Sequence, residues 1–384
     1  MKLTIKRQNF LKMLNYAIQA IPAKSAESQF LNFLIIVGSE DVSVIASDGT
    51  LSCKVVQPSK DEKGDDVILN KEEGMIQAPA KYLLDIVSKL GGKVVTLNMV
   101  DTNYLNISDD ATNFNLVTKD GKEYPDIDLN IPEENKGFEV SLKDIRKLFD
   151  TTAYAVATKG PKEIYYGINV SVRNGKLYFL TTDSYRMARY AVLAQGEEDN
   201  KAFTCPVKAL SMVANIETDE GCAIYLDEQR ALFSAGGILI STRLLRGDFP
   251  DAERLIPPHF PYSVTVETDE FLAAADRVKI ISSAEDKNSQ VRLTISRDGG
   301  VVLYAKSTNY GNSEEVLRKA TYVLPDEENV FEIGFNVDFA IEAVKALKSE
   351  SFTFIFSAPT RMFMVKNDDP ENIQIITPIR ISSF

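Results

Sequence analysis

The chain reads as an α+β protein of three repeated domains, each with two helices packed on antiparallel sheets, together forming half of a closed ring. Three observations predict this: a strand–helix unit that recurs at domain-sized intervals, short strands of period two between the helices, and a proline-bearing linker phrase that occurs twice.

The repeat opens at Met1 (MKLTIKRQNFLKMLNYAIQAI) and recurs at Phe138 (FEVSLKDIRKLFDTTAYAVA) and Tyr262 (YSVTVETDEFLAAADRVKII). Each time an extended stretch runs into an amphipathic helix. A second strand–helix unit follows from Ile76, from Phe203 and from Phe331, with Pro79, Pro206 and Asn336 at matching strand-to-helix junctions. The interval is roughly 120–135 residues, so the copies are domains rather than solenoid turns. Between the helices apolar and polar residues alternate, as in Val42–Ile45, Val94–Asn98, Tyr104–Ile107, Lys176–Leu180, Ala223–Leu226, Leu232–Ser234, Val301–Ala305 and Phe352–Phe356. Turns such as RNGK and RDGG separate them. Such alternation leaves one wet and one buried face, the mark of antiparallel sheet.

Tyr124-Pro125-Asp126 and Phe249-Pro250-Asp251 each lead into a proline-bearing linker. They divide the chain into domains 1–128, 138–250 and 262–384, with linkers at 129–137 and 251–261. Proline stiffens such links, which suits domains held in a fixed arc. The outer strand edges of the first and third domains then stay open unless a second copy covers them head to tail.

Composition is that of a globular protein: 44% hydrophobic and 26% charged residues. There is no run of eighteen apolar residues, and MKLTIKRQNF lacks the apolar stretch of a signal peptide, so a cytoplasmic protein with no membrane partner is expected. Cys53, Cys205 and Cys222 form no metal-binding cluster and read as buried thiols; neither metal nor cofactor is expected. The net charge of −12 is unevenly spread. The six repeat helices, taken as Arg7–Gln19, Pro79–Gly91, Ser141–Thr152, Pro206–Ile216, Thr268–Ile281 and Asn336–Glu350, total +3 against −15 on the remainder. Sharing one face, they make a mildly positive lining on an acidic body; ordinary solvated helices are the competing reading.

Four phrases in order, TTDSYRMA at Thr181–Ala188, GDFPDAERLIP at Gly247–Pro257, GFNVDFAIEAVKAL at Gly334–Leu347 and IITPIRI at Ile375–Ile381, resemble the bacterial sliding clamp, the β subunit of DNA polymerase III. The resemblance spans essentially the whole chain. It implies three DNA-clamp domains per chain, a ring-shaped homodimer and duplex DNA through the hole, bound without regard to sequence. It implies as partners the replicative polymerase catalytic subunit, the clamp loader and repair proteins such as repair polymerases and ligase.

Phosphate contacts by Lys and Arg are sequence-independent. Candidates on the helices and the adjoining loop are Arg7, Lys12, Lys24, Lys81 and Lys143, with Arg146, Lys147, Lys208, Arg277 and Lys345. Lys24 falls where the family's loop carries a basic DNA-contacting residue. The resemblance also implies an apolar partner-peptide groove near the junction of domains two and three. Its matching positions are Tyr165, Thr182, Ser184, Tyr185, Arg186 and Met187, then Pro250, Arg254, Leu255 and Met362, and finally Ile375, Thr377, Pro378, Ile379, Arg380 and Ile381. Met187, Leu255, Ile375 and Ile379 would wall the groove, and Arg186, Arg254 and Arg380 would bond peptide carbonyls or a carboxylate. Placement of the apolar members in a domain core competes with this. Ser184 stands where the family usually has glycine, Tyr185 where histidine is common, and Thr377 where an apolar residue is usual. The added tail Ser382–Phe384 could cover the groove, so its deletion is expected to tighten peptide binding. The dimer interface implied by the resemblance matches Phe114, Leu116, Ile280 and Ile281.

An enzyme reading has little to stand on. The only histidine, His259, sits in a proline-rich linker, and no GxSxG, HExxH, GxxxxGK[ST] or GxGxxG phrase is present. A repeat-built cytosolic scaffold without DNA in its ring is the remaining alternative. A trimeric clamp of eukaryotic type has two domains per chain, which three repeats disfavour.

Overall fold

The computed structural model describes residues 1–101, 103–131, 137–194, 201–218, 220–251, 254, 256–284 and 289–381. In the first third these form β1 Lys2–Lys6, α1 Arg7–Ala17, β2 Asn32–Val37, β3 Asp41–Ser47, β4 Leu51–Pro58, β5 Ile68–Glu72, β6 Gly74–Pro79, α2 Ala80–Lys89, β7 Val94–Asp101, β8 Tyr104–Ser108, β9 Asn113–Val117 and β10 Lys119–Asp120. The middle third forms β11 Phe138–Ser141, α3 Leu142–Thr152, β12 Gly167–Arg173, β13 Lys176–Thr182, β14 Arg186–Leu193, β15 Lys201–Pro206, α4 Val207–Ala214, β16 Gly221–Leu226, β17 Arg230–Ala235 and β18 Ile238–Arg243. The last third forms β19 Tyr262–Glu267, α5 Thr268–Ser282, β20 Gln290–Ser296, β21 Gly300–Ser307, β22 Gly311–Val316, β23 Thr321–Val323, β24 Val330–Asn336, α6 Val337–Leu347, β25 Ser351–Phe356, β26 Phe363–Lys366 and β27 Ile373–Ile376.

The helices follow from local chemistry. In α1, Phe10, Met13, Leu14 and Ala17 are buried, one apolar stripe at helical spacing. At the start of α3, the Ser141 hydroxyl accepts the Asp144 N–H at 3.0 Å and donates to its carboxylate at 2.7 Å, a reciprocal cap. Asn336 caps α6 by accepting the Phe339 N–H at 3.2 Å. Pro79 stands immediately before α2 and Pro206 immediately before α4, as the repeat predicts.

Packing divides the chain into two compact units, Met1–Ile145 with Lys208–Leu244 and Arg146–Val207 with Leu245–Phe384. The dividing line runs through the middle repeat. Its physical reason is that strands of neighbouring repeats share sheets. The first unit holds a five-stranded sheet, β5-β1-β7-β8-β9, and a nine-stranded one, β10-β6-β2-β3-β4-β18-β17-β16-β11. The second holds a nine-stranded sheet, β15-β12-β13-β14-β27-β26-β25-β19-β23, and a four-stranded one, β22-β21-β20-β24. All named pairings are antiparallel, as the alternation predicts; β4 meets β18 in the first unit, and β14 meets β27 in the second.

Leu3, Ile5, Phe10, Phe33, Ile35, Leu83, Val95 and Leu97 are fully buried in the first unit. In the second, Phe271 sets its ring edge-on to Phe352 and Phe354, with centroids 5.2 and 5.3 Å away, in a core that also takes in Phe335, Phe356 and Phe363. All three cysteines are free and buried. Burial pushes the Cys53 and Cys222 thiols up to about 12 and raises Cys205 as well. Among the described residues no helix is long and apolar enough to cross a membrane.

Candidate functional site

Of the expected groove positions, Thr182, Ser184, Tyr185, Arg186, Met187, Ile375 and Thr377 meet at the turn between β13 and β14, in the second unit. Asp183 accepts the N–H groups of Tyr185 and Arg186 at 2.9 and 3.0 Å on one oxygen. The Thr182 hydroxyl accepts the Ser184 N–H at 3.1 Å and donates to the Arg186 carbonyl at 2.7 Å. These local bonds are what Asp and Thr side chains offer a tight turn. They hold Ser184 at φ +81°, a left-handed conformation that explains why glycine is at home there. Tyr185 is carried outward, 64% exposed. Its carbonyl accepts two bonds from Thr377, the N–H at 2.9 Å and the hydroxyl at 2.8 Å. The polar residue at 377 is thereby satisfied within the chain.

β14 and β27 bring Met187 opposite Ile375. Both are buried, and with Met364 they form a cluster against half-buried Met362, Leu180, Ile256, Phe260, Ile355 and Ile373. Met187 and Ile375 are therefore buried members of an apolar cluster, and Met362 lies nearer the surface. Tyr165 belongs to a second cluster, edge-on to Phe249 with ring centroids 5.7 Å apart and beside Ile164 and half-buried Leu245. Pro250 and Pro378 are half-buried. Ile379 donates its N–H to the Gly334 carbonyl at 2.7 Å. A side chain at 334 would put its Cβ 2.7 Å from the Ile379 carbonyl oxygen and 3.3 Å from half-buried Ile381, so glycine permits the close approach. Leu255 and the tail Ser382–Phe384 lie outside the described residues.

One expectation needs revision. Arg186 is turned inward rather than toward a peptide carbonyl, with two of its three nitrogens already paired to carboxylates. Nε bonds Asp183 at 3.0 Å, Nη1 bonds Glu342, and the guanidinium lies over the Phe339 and Tyr154 rings at 4.5 and 5.2 Å. Its side chain is 11% exposed. It braces the turn against α6. Arg254 is the open guanidinium, 85% exposed with Asp251 its one carboxylate partner at 3.1 Å among the described residues, and Arg380 is exposed as well. Met364, Ile256, Phe260 and Ile373 complete the patch without having been expected there. The signal was period two: Ile373 is two residues from Ile375 on β27, and Met364 on β26 is two residues from Met362, which immediately precedes that strand.

Of the proposed DNA-facing cations, Lys12, Lys24, Lys81, Lys143, Arg146, Lys147 and Lys345 are exposed. Lys147 lies 4.7 Å over the Tyr190 ring. Lys208 sits 3.9 Å from Asp48. Arg277 is bidentate on Glu315 at 2.8 and 2.7 Å, and that bond raises its pKa above the ordinary value. Arg7 is turned to another use: it donates to the Gly92, Val87 and Ser88 carbonyls at 2.9, 3.3 and 3.4 Å and closes the C-terminal end of α2. Phe114 and Leu116 lie on β9, the terminal strand of the five-stranded sheet, where Phe114 is 40% exposed. Ile280 on α5 is 69% exposed, while Ile281 is half-buried against the core.

Three like domains of paired helices on shared antiparallel sheets define a DNA sliding clamp. Family models for the N-terminal, central and C-terminal domains of the DNA polymerase III beta subunit match residues 1–128, 139–251 and 253–380. The chain is 27% identical over 385 residues to the beta sliding clamp of Staphylococcus epidermidis, covering 99% of each. Its structure is similar to the DNA polymerase III beta chain of Streptococcus pneumoniae, with TM-score 0.90 and 27% identity over 99% of each chain. The beta subunit from Streptococcus pyogenes is equally similar, with TM-score 0.90 and 26% identity over 99% of this chain and all of that one. The chain belongs to the beta subunit family of bacterial DNA polymerase III, and its function is that of a clamp for polymerase processivity.

Proposed function

We propose that two copies join head to tail into a closed ring, β9 of each pairing with β22 of the other, and that duplex DNA passes through it. One observation carries this reading. Two sheets reach nine strands within the chain, while the other two stop at five and four and end on β9 and β22. Five and four strands also compose each complete sheet, on either side of the β4–β18 and β14–β27 seams. Pairing the open edges would repeat that pattern and remove exposed strand edges. Phe114, Leu116, Ile280 and Ile281 would line this interface, with apolar side chains flanking paired backbone.

In this reading the domains span 1–128, 138–250 and 262–384. The exposed lysines and arginines of the six helices contact phosphates singly and weakly, which lets the ring slide. The patch of Met187, Met362, Ile375 and Tyr185, rimmed by Arg254 and Arg380, takes an extended apolar peptide from the replicative polymerase, the clamp loader or a repair protein. The clamp is a non-catalytic cytoplasmic tether, and any ATP is consumed by a partner. The test is sedimentation combined with retention on DNA. A dimer at micromolar concentration, held on nicked circular DNA after loading and lost when the circle is cut, is expected. A monomer, or equal retention on linear and circular DNA, overturns the reading; the latter is the behaviour of a scaffold.

A further inference from the structure

We infer that the first unit carries a second, polar version of the groove, which takes an extended peptide with Lys or Arg side chains from a partner protein. The inference rests on the groove reading above, because it transfers that site from one repeat junction to the other.

The correspondence is residue by residue. At the turn between β3 and β4, Asp48 accepts the N–H groups of Thr50 and Leu51 at 2.9 and 2.8 Å, and the Ser47 hydroxyl accepts the Gly49 N–H at 3.0 Å. This reproduces the Thr182–Arg186 turn, with Gly49 at φ +88° in the place of Ser184. The Arg243 N–H donates to the Thr50 carbonyl at 3.0 Å, as that of Thr377 does to Tyr185. Strand registers extend the match. Ser52 faces Ser241, which faces Leu232, just as Met187 faces Ile375, which faces Met364. Two residues before Leu232 stands Arg230, at the place of Met362. The phrase Tyr124-Pro125-Asp126 corresponds to Phe249-Pro250-Asp251.

A cleft of about 570 Å³ lies at this junction. Its lining has exchanged apolar walls for polar ones: Ser52 for Met187, Ser241 for Ile375 and Arg230 for Met362. Four carboxylates and two guanidinium groups line it, a net charge of −2. Arg230 is held at 2.7 Å by both Asp128 and Asp227. That leaves Asp126 and Glu228 at the rim with no ion pair among the described residues, ready for a cationic side chain. Arg243, exposed and directly across the ladder from Arg230, can donate to the peptide's carbonyls. An apolar peptide gains little here, because Ile127 is the one large apolar side chain among the lining residues.

The experiment reads the cleft directly. The native cysteines are buried, so Gln229→Cys on the cleft rim accepts an environment-sensitive dye selectively. The dimer is titrated with an acetylated Gly-Ser-Arg-Lys-Gly-Arg-Ser-Gly peptide, and in parallel with a leucine- and phenylalanine-bearing peptide of equal length followed by anisotropy. The basic peptide is expected to saturate the dye signal, and Asp126→Asn with Glu228→Gln to weaken it roughly tenfold without changing binding of the apolar peptide. Met187→Ala is expected to weaken only the apolar peptide. No saturable dye signal, or one unmoved by the Asp126 and Glu228 changes, overturns the second site. If the apolar peptide alone binds, only this inference falls; if that peptide does not bind either, the groove reading falls with it.

Discussion

Asp183 shows how much one short side chain can hold in place. Its carboxylate takes two backbone N–H groups and the Arg186 guanidinium, so the turn, the outward Tyr185 and the brace to α6 share one anchor. Asp183→Ala is expected to destabilise the protein by about 2 kcal/mol in urea denaturation, since two N–H groups and a partly buried guanidinium lose their acceptor. Gly334 acts by being small. Gly334→Ala forces a Cβ to within 2.7 Å of the Ile379 carbonyl. It is expected to cost about 1–3 kcal/mol and to weaken binding of an apolar peptide, both measurable on the same preparation by circular dichroism and anisotropy. At this scale the sequence was legible where chemistry is local. The phrase around Asp183 announces its own turn. The role of Arg186 was not legible, because Glu342 lies 156 positions further along the chain and only the fold brings the two together.

The helices were the most readable elements. Each carries its apolar stripe in about a dozen consecutive residues, and all six occur where the repeat places them. Strands were readable as strands but not as neighbours. Nothing local in Asn113–Val117 distinguishes a terminal strand from an internal one; sheet order is decided by pairing far along the chain. The hairpin from β16 to β17 offers a test of how an element is tied to its linker. The Asn130 N–H and Arg230 hold the Asp128 carboxyl below its usual range. Burial pushes Asp227 up, but the Gln229 N–H and Arg230 outweigh it and its pKa is lowered too. A carboxylate depressed in the folded state contributes stability above its unfolded pKa, near 4, and loses it as pH falls through the folded value. Unfolding free energy should therefore fall on acidification below about pH 4, and more shallowly in Arg230→Met. Parallel slopes for the two proteins would show that the clasp contributes nothing.

On the scale of the whole molecule, charge and edges work together. In the proposed ring, an acidic body of −15 with helices totalling +3 would keep DNA off the outside and tolerate it against the helices. The ring reading makes closure depend on few side chains. Ile280→Ala with Ile281→Ala is expected to sediment as a monomer at micromolar concentration, to keep binding an apolar peptide, and to lose retention on circular DNA. Dimers in that variant would count against these residues as the closure.

The unequal sheets also decide where such a ring can part. The seams at β4–β18 and β14–β27 lie inside one continuous polypeptide, so parting them would leave the circle covalently bridged. Only the two places where separate molecules meet can act as a gate. Twofold symmetry makes those places identical, so neither is born as latch or as pivot. In the proposed ring, whatever first touches one of them would assign the roles, and the untouched twin would keep both halves together while a double helix enters sideways.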